Sequence, residues 1–266
     1  MTSSFVISTD LDGTLIDHHD YSFTAAIPAI KRCQSLGIPI ILNTSKTYAE
    51  VIELQKVLNI NAPIVVENGS AIIVSNLQPQ SQQNITFGTT REEVLSFIQH
   101  VREQYSWQFE GFNDWSLDQI INHTGLDNEA ALRASKKQFS EPFIWHDSDI
   151  ALKQFSMLAL EHGLTILKGG RFCHLQGDTD KAKPLVWLLE EYSELFPSMR
   201  TPPKLIALGD NDNDIAMLNA ADIAVCVRSP VAEYPKLSDS GHVIKTQAYG
   251  PEGWAEGVNQ ILDQYI

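Results

Sequence analysis

Apolar residues recur along this chain in two rhythms. Phe5 to Thr9, Ile38 to Leu42 and Pro63 to Val66 are short apolar runs without polar alternation, as strands buried on both faces require. Between them the spacing turns helical. Ala25 to Leu36 forms one amphipathic segment, with Pro28 tolerated in its first turn and Gly37 placed to end it. Val51, Leu54, Val57 and Leu58 put a second helix over Thr47 to Leu58. The rhythm breaks at Leu77 to Asn84, where Gln, Ser and Pro read as a linker. Helices are then predicted over Arg91–Tyr105, Leu117–His123 and between Asp149 and His162. Strands are predicted near Phe143–Trp145, Thr165–Leu167 and Phe172–Leu175. After Asp178 the first rhythm returns, with helix at Lys183–Leu195, strand at Leu205–Leu208, a helix beginning at Ile215–Leu218 and strand at Ile223–Val227.

Strand–helix alternation at both ends of the chain predicts an α/β fold with a doubly wound, mostly parallel, Rossmann-like sheet. The core is expected from residues 1–84 and 176–266, with an α+β module inserted at 85–175. A length of 266 residues, 43% of them hydrophobic, suffices for both parts.

Charge narrows the partners. Against 33 acidic residues stand 19 basic ones, a formal net charge of −14. Such a surface repels nucleic acid and anionic lipid, so a small anionic ligand needs a local positive site. The three cysteines, Cys33, Cys173 and Cys226, are too widely spaced for a zinc site and odd in number, which suits reduced thiols. With no signal-like segment before Phe5 and no apolar run of membrane-spanning length, a soluble cytoplasmic protein is expected. The oligomeric state is not legible.

Chemistry concentrates at strand ends. Asp10-Leu11-Asp12-Gly13-Thr14-Leu15 follows the first strand directly. Two carboxylates two residues apart repel unless a cation or shared proton intervenes, and a hard oxygen-seeking ion such as Mg²⁺ suits them. Gly209-Asp210-Asn211-Asp212-Asn213-Asp214 follows the Leu205–Leu208 strand. A calcium loop beginning at Asp210 would need Gly where Ile215 stands and Glu where Ala221 stands, so that pattern fails; a solvated helix cap remains the plainer alternative. Asn43-Thr44-Ser45-Lys46 ends the second strand, where hydroxyls and helix N-terminal amides can seat phosphate or simply cap the helix. Lys181 opens the helix after the insertion. His174 either faces a ligand or lies on a strand surface, and Trp254 sits in a Gly-rich segment where it could shape a site.

This ordered set resembles the four motifs of haloacid dehalogenase phosphatases, and the insertion after the third strand resembles their type-two cap. The Cof-like branch carries Thr-Gly-Arg at the second motif. Here Thr44-Ser45-Lys46 stands instead, as in mannosyl-3-phosphoglycerate phosphatases. Glu67-Asn68-Gly69, Ser140-Glu141-Pro142, Gly169-Gly170-Arg171-Phe172 and Gly250-Pro251-Glu252-Gly253-Trp254 resemble the same family. The resemblance implies a Mg²⁺-dependent phosphatase acting on a small phosphorylated metabolite, with Asp10 as nucleophile and Asp12 as general acid and base. Thr44 and Lys181 would hold the phosphoryl group. Asp10, Asp12 (through its carbonyl), Asp210 and Asp214 would serve the metal, Asp214 and Asn213 in an inner or outer position. Ser45, Lys46, Asn68, Gly169, Gly170 and Arg171 would bind substrate. A glycosyl-3-phosphoglycerate is the expected substrate. A broad-specificity sugar phosphatase, a phosphotransferring mutase and a non-catalytic phosphate-binding protein stay open.

Overall fold

A computed structural model describes residues 5–74, 83–168, 171–197, 199, 201–238 and 241–265. The strands, in chain order, are β1 (Phe5–Thr9), β2 (Ile40–Asn43), β3 (Ile64–Val66), β4 (Ala71–Val74), β5 (Gln83–Thr86), β6 (Phe109–Gly111), β7 (Ser140–Trp145), β8 (Leu164–Lys168), β9 (Cys173–Gly177), β10 (Lys204–Gly209), β11 (Ile223–Arg228) and β12 (His242–Tyr249). Eight of them form one sheet in the order β12-β11-β10-β1-β2-β3-β4-β5. From β12 to β3 neighbouring strands run parallel; β4 and β5 add an antiparallel edge. Every residue of β1, β2 and β3 is buried, which is why their sequences show no polar alternation. The helices Ile27–Ser35, Tyr48–Val57, Lys183–Glu190, Ile215–Asn219 and Gly250–Tyr265 contribute to the apolar core around this sheet.

From β1 the chain moves one way to β2 and β3, and later returns on the other side through β10 and β11. β1 is therefore the topological switch point, and the crevice beyond its carboxyl end is where an open α/β sheet takes its ligand.

The second sheet, β6-β7-β9-β8, is antiparallel throughout. One face packs on helices Arg91–Gln104 and Asp149–Glu161 through Phe97, Phe109, Phe143 and Phe155. The division expected at 84/85 and 175/176 cuts through β5 and β9. Ladder bonds hold β5 on the first sheet to Thr86 and β9 in the second to Gly177, and composition does not register ladder bonds. Part of the expected linker, residues 77–82, lies outside the described residues.

Smaller differences have local causes. The helix expected from Ala25 starts as a 3-10 turn, Thr24–Ala26, before Ile27–Ser35. Lys183–Leu195 divides into Lys183–Glu190 and Tyr192–Leu195. The Gly-rich C-terminal segment is a helix, Gly250–Tyr265. There Gly257 permits close packing, since a Cβ would sit 2.5 Å from Val225 Cγ1. Among the described residues no helix is long and apolar enough to cross a membrane.

Candidate active site

Asp10 is the first residue beyond β1, and its N–H donates to the Leu208 carbonyl of β10 at 2.9 Å. That bond fixes the aspartate between the two central strands. Behind it, Trp254 is fully buried and donates Nε1 to Thr9 Oγ1 at 2.9 Å, while Thr9 Oγ1 donates to the Asp10 carbonyl at 2.8 Å. Trp254 thus braces the strand end from the core rather than lining the crevice.

Gly13 turns the chain away with φ +81°, and a Cβ there would meet Asp210 Oδ2 at 2.7 Å. The close approach brings the loop after β10 against the loop after β1. Thr14 Oγ1 donates to Asp210 Oδ1 at 3.0 Å. Asp214 folds back to accept from the Asp210 and Asn211 amides at 3.0 and 3.2 Å. Lys181 is 1% exposed and bridges Asp10 Oδ1 and Asp214 Oδ1, each at 2.6 Å. Its position is fixed by Asn43, whose Nδ2 donates to the Lys181 carbonyl at 2.8 Å, and by Gly69, which lies against the Asp180 carbonyl.

Carboxylate oxygens of Asp10, Asp210 and Asp214, all buried, lie within 4.8 Å of one another. When ionised, three carboxylates against the Lys181 ammonium leave two negative charges uncompensated in a buried site. Burial, reinforced by Asp214, pushes the Asp210 carboxyl up to about 7. Burial likewise holds Asp10 well above the ordinary carboxylate range; Lys181 opposes this, while Asp214 and Asp210 reinforce it. Lys181 stays charged: burial alone would lower its pKa, but Asp10 and Asp214 raise it above the usual lysine value. A compact all-oxygen donor set with this surplus charge fits a hard divalent cation.

Asp12 stands apart from that cluster. Its Oδ2 accepts from Lys46 Nζ at 2.9 Å, and its Oδ1 is buried without a hydrogen-bond partner among the described residues. Burial would lower the Lys46 pKa, but Asp12 and Glu50 more than offset that and raise it. Thr44 follows β2, is 1% exposed, and accepts at Oγ1 from the Lys46 N–H at 3.2 Å. Helix Tyr48–Val57 is capped by Thr47 and Glu50 in a reciprocal box, which satisfies amides of its first turn directly after the Thr44-Ser45-Lys46 loop. Asn68 adopts φ +55°, and its N–H donates to the Thr44 carbonyl at 2.9 Å. Its side chain contacts Asn213 Nδ2 at 3.3 Å and Gln176 Oε1 at 3.5 Å.

Of the remaining expected residues, Gly169 and Gly170 lie outside the described residues. Arg171 is exposed and donates Nη1 to the Thr124 carbonyl at 2.6 Å, an anchor within the inserted module. Sequence reasoning missed the segment that lays this module across the crevice. Thr47 Oγ1 donates to the Arg133 carbonyl at 3.0 Å, and Lys137 Nζ to the Ser45 carbonyl at 2.9 Å. Glu67 accepts from Gln138 N, Phe139 N and Ser140 Oγ at 2.9, 3.2 and 2.6 Å. Residues 135–139 lie between a helix and a strand, with no periodicity to draw attention to Lys137.

Comparison with known proteins agrees with this geometry. The family model of haloacid dehalogenase-like hydrolases matches residues 7–166 and 176–246. A glucosyl-3-phosphoglycerate/mannosyl-3-phosphoglycerate phosphatase from Persephonella marina is 35% identical, over 97% of both chains. A protein of the same name from Methanococcoides burtonii is 33% identical, again over 97% of each. Among solved structures, a HAD-superfamily phosphatase from Bacteroides thetaiotaomicron superposes with a TM-score of 0.67 at 19% identity, covering 99% of this chain and 95% of its own. A haloacid dehalogenase-like hydrolase from B. subtilis gives 0.64 at 15% identity over the whole of both chains.

Proposed function

The chain belongs to the haloacid dehalogenase-like hydrolases, and we propose that within them it is a magnesium-dependent phosphomonoesterase hydrolysing mannosyl- or glucosyl-3-phosphoglycerate to the glycosylglycerate and phosphate. One observation carries the chemistry: Lys181 joins Asp10 to Asp214 at 2.6 Å each, uniting motifs separated by 171 and 33 residues in one buried cluster with Asp210. The substrate rests on the names of the two relatives, each matched over nearly its whole length.

Asp10 attacks phosphorus, forming an aspartyl-phosphate as the ester P–O bond breaks. Asp12, whose Oδ1 has no competing partner, gives its proton to the departing alkoxide. In the second half it takes a proton from water, which attacks the aspartyl-phosphate and frees Asp10 and inorganic phosphate. Lys46 holds the Asp12 carboxylate in one orientation through both transfers. Lys181 orients Asp10, and with Thr44 it binds the phosphoryl oxygens as charge redistributes. Asp10, the Asp12 carbonyl and Asp210, with Asp214 beside them, would hold Mg²⁺, which supplies electrostatic shielding between nucleophile and phosphoryl group. Ser45, Lys46 and Asn68 face the substrate from the first sheet. We assign substrate binding in the inserted module to Arg171, together with Gly169 and Gly170 that precede it in the chain. The layer built on the second sheet acts as the cap that excludes water. A phosphorylated metabolite as substrate supports the reading of a cytoplasmic enzyme.

The test is phosphate release from mannosyl- and glucosyl-3-phosphoglycerate, 3-phosphoglycerate and hexose phosphates, with Mg²⁺ and with a chelator. A preference of at least about tenfold in kcat/KM for a glycosyl-3-phosphoglycerate, roughly 1.4 kcal/mol, is expected together with loss of turnover in chelator. Equal turnover of hexose phosphates overturns the substrate, and full activity in metal-stripped protein overturns the mechanism.

A further inference from the structure

Three lysines of this acidic protein lie along the crevice, and they differ in how their charge is met. Lys181 is matched by Asp10 and Asp214, and Lys46 by Asp12. Lys137 forms no ion pair among the described residues. Its Nζ donates to the Ser45 carbonyl, a neutral acceptor, at 2.9 Å. Its backbone is not free to carry it away: the adjoining Gln138 and Phe139 amides are held by Glu67, and the Arg133 carbonyl by Thr47. A cation is thereby pinned over the Thr44-Ser45-Lys46 loop without a counter-ion.

The second observation comes from β9. Side chains alternate across a strand. Cys173 and Leu175 face the aromatic layer under helices Arg91–Gln104 and Asp149–Glu161. His174 and Gln176 therefore face the other way, and Gln176 meets Asn68 of the first sheet. His174 Nδ1 is buried and has no hydrogen-bond partner among the described residues. Its cross-strand neighbours, Pro142 and Leu167, offer no side-chain polar group. Burial and the nearby Lys137 charge push the imidazole down to about 3, so it is neutral at working pH. A buried polar atom without a partner is destabilising unless a ligand supplies one.

We propose that Lys137 and His174 are the cap's reading pair for the glyceryl carboxylate, Lys137 Nζ binding the carboxylate and His174 Nδ1 hydrogen-bonding an oxygen of the same unit. This specificity assignment rests on the phosphoglycerate reading above. It puts the carboxylate contact on a residue touching the loop that seats the phosphate rather than on Arg171, the other cap cation expected to bind substrate, whose guanidinium is anchored on Thr124.

The experiment uses two probes that differ in the carboxylate, 3-phosphoglycerate and glycerol 3-phosphate, as competitive inhibitors of chromogenic-ester hydrolysis by full-length protein. The native protein should bind 3-phosphoglycerate at least about tenfold more tightly. K137M should raise its inhibition constant by about 10- to 100-fold, as expected for one lost charge-assisted hydrogen bond, and move that for glycerol 3-phosphate by less than about threefold. K137R should restore most of the preference, which a folding defect would not allow. H174F should weaken 3-phosphoglycerate by about 5- to 20-fold, again sparing the other probe. Equal weakening of both probes in K137M means that Lys137 serves the phosphate or the loop, and overturns the proposal. So does an unchanged preference in K137M, or a preference lost only in R171K. A native protein that prefers 3-phosphoglycerate but releases no phosphate from glycosyl-3-phosphoglycerates refutes the proposed substrate and leaves the reading pair standing.

Discussion

At the scale of single residues, Asp10 and Asp12 have the same chemistry and opposite surroundings. Asp10 is buried beside two other carboxylates, which raise its pKa, and beside Lys181, which opposes them; a cation in the cluster would complete its ionisation as a nucleophile. Asp12 faces Lys46 with one oxygen and has the other unpartnered, which suits a proton carrier. The distinction is measurable through the leaving group. Asp12→Asn keeps size and loses the proton. Hydrolysis of a glycosyl-3-phosphoglycerate, whose alkoxide must be protonated, should fall by about 10³-fold. Hydrolysis of a nitrophenyl ester, whose phenolate leaves unaided, should fall at least tenfold less, a difference of about 1.4 kcal/mol or more in barrier. Equal losses on the two esters would remove the general-acid role from Asp12.

At the scale of elements, the site depends on loops pressed closer together than side chains normally permit. Gly69 has φ +88°, and a Cβ there would stand 1.9 Å from the Asp180 carbonyl. The loop after β3 can therefore lie directly on the turn that delivers Lys181. Gly37, which ends helix Ile27–Ser35, has φ +69° but nothing within 4 Å of a built Cβ. The two positions separate backbone strain from steric exclusion. Gly37→Ala should cost only the left-handed conformation, roughly 1–2 kcal/mol, and spare kcat. Gly69→Ala should cost on the order of 3 kcal/mol or more, lower the melting temperature by roughly 6–12 °C, and depress kcat by displacing Lys181. Equal melting shifts with full activity in both variants would show that the Gly69 contact does not position the lysine.

At the scale of the whole molecule, the buried acidic cluster ties stability to pH and metal. Asp210 is raised from 3.8 to about 7, and Asp10 is raised as well, so the folded protein binds more protons than the unfolded chain. Stability from this source is fully present below about pH 4 and is lost as pH rises towards 7, on the order of 4 kcal/mol for Asp210 alone. A divalent ion competes with those protons. Mg²⁺ should therefore raise the melting temperature more at about pH 7.5 than at about pH 5, where protons already neutralise the cluster. Thermal unfolding with Mg²⁺ or chelator at both pH values tests this, and a Mg²⁺ increment independent of pH would remove Asp210 from the metal site.

Much of this was legible in the chain, because local chemistry carries it. Unalternating apolar runs gave the buried parallel strands, and the acidic turns Asp10–Gly13 and Gly209–Asp214 marked their ends as the seat of chemistry. The C-terminal helix was hidden because Gly253 and Gly257 lower helix propensity, and only close packing explains their use, Gly253 on the Ala248 carbonyl and Gly257 on Val225. The expected boundaries of the inserted module fall inside β5 and β9, whose extents are set by ladder bonds with distant strands. Lys137 had no local signature at all; for His174 the sequence left ligand and strand surface open, and Glu67 stood out only within the Glu67-Asn68-Gly69 resemblance. A lysine becomes distinctive when folding sets it over a phosphate loop without a counter-ion, and a histidine when folding buries one nitrogen unpartnered. Sequence determined which charged groups gather beyond the strand ends, since their spacing follows those ends; tertiary structure alone decided which charges remain unmatched around them, because compensation depends on distances between segments far apart in the chain.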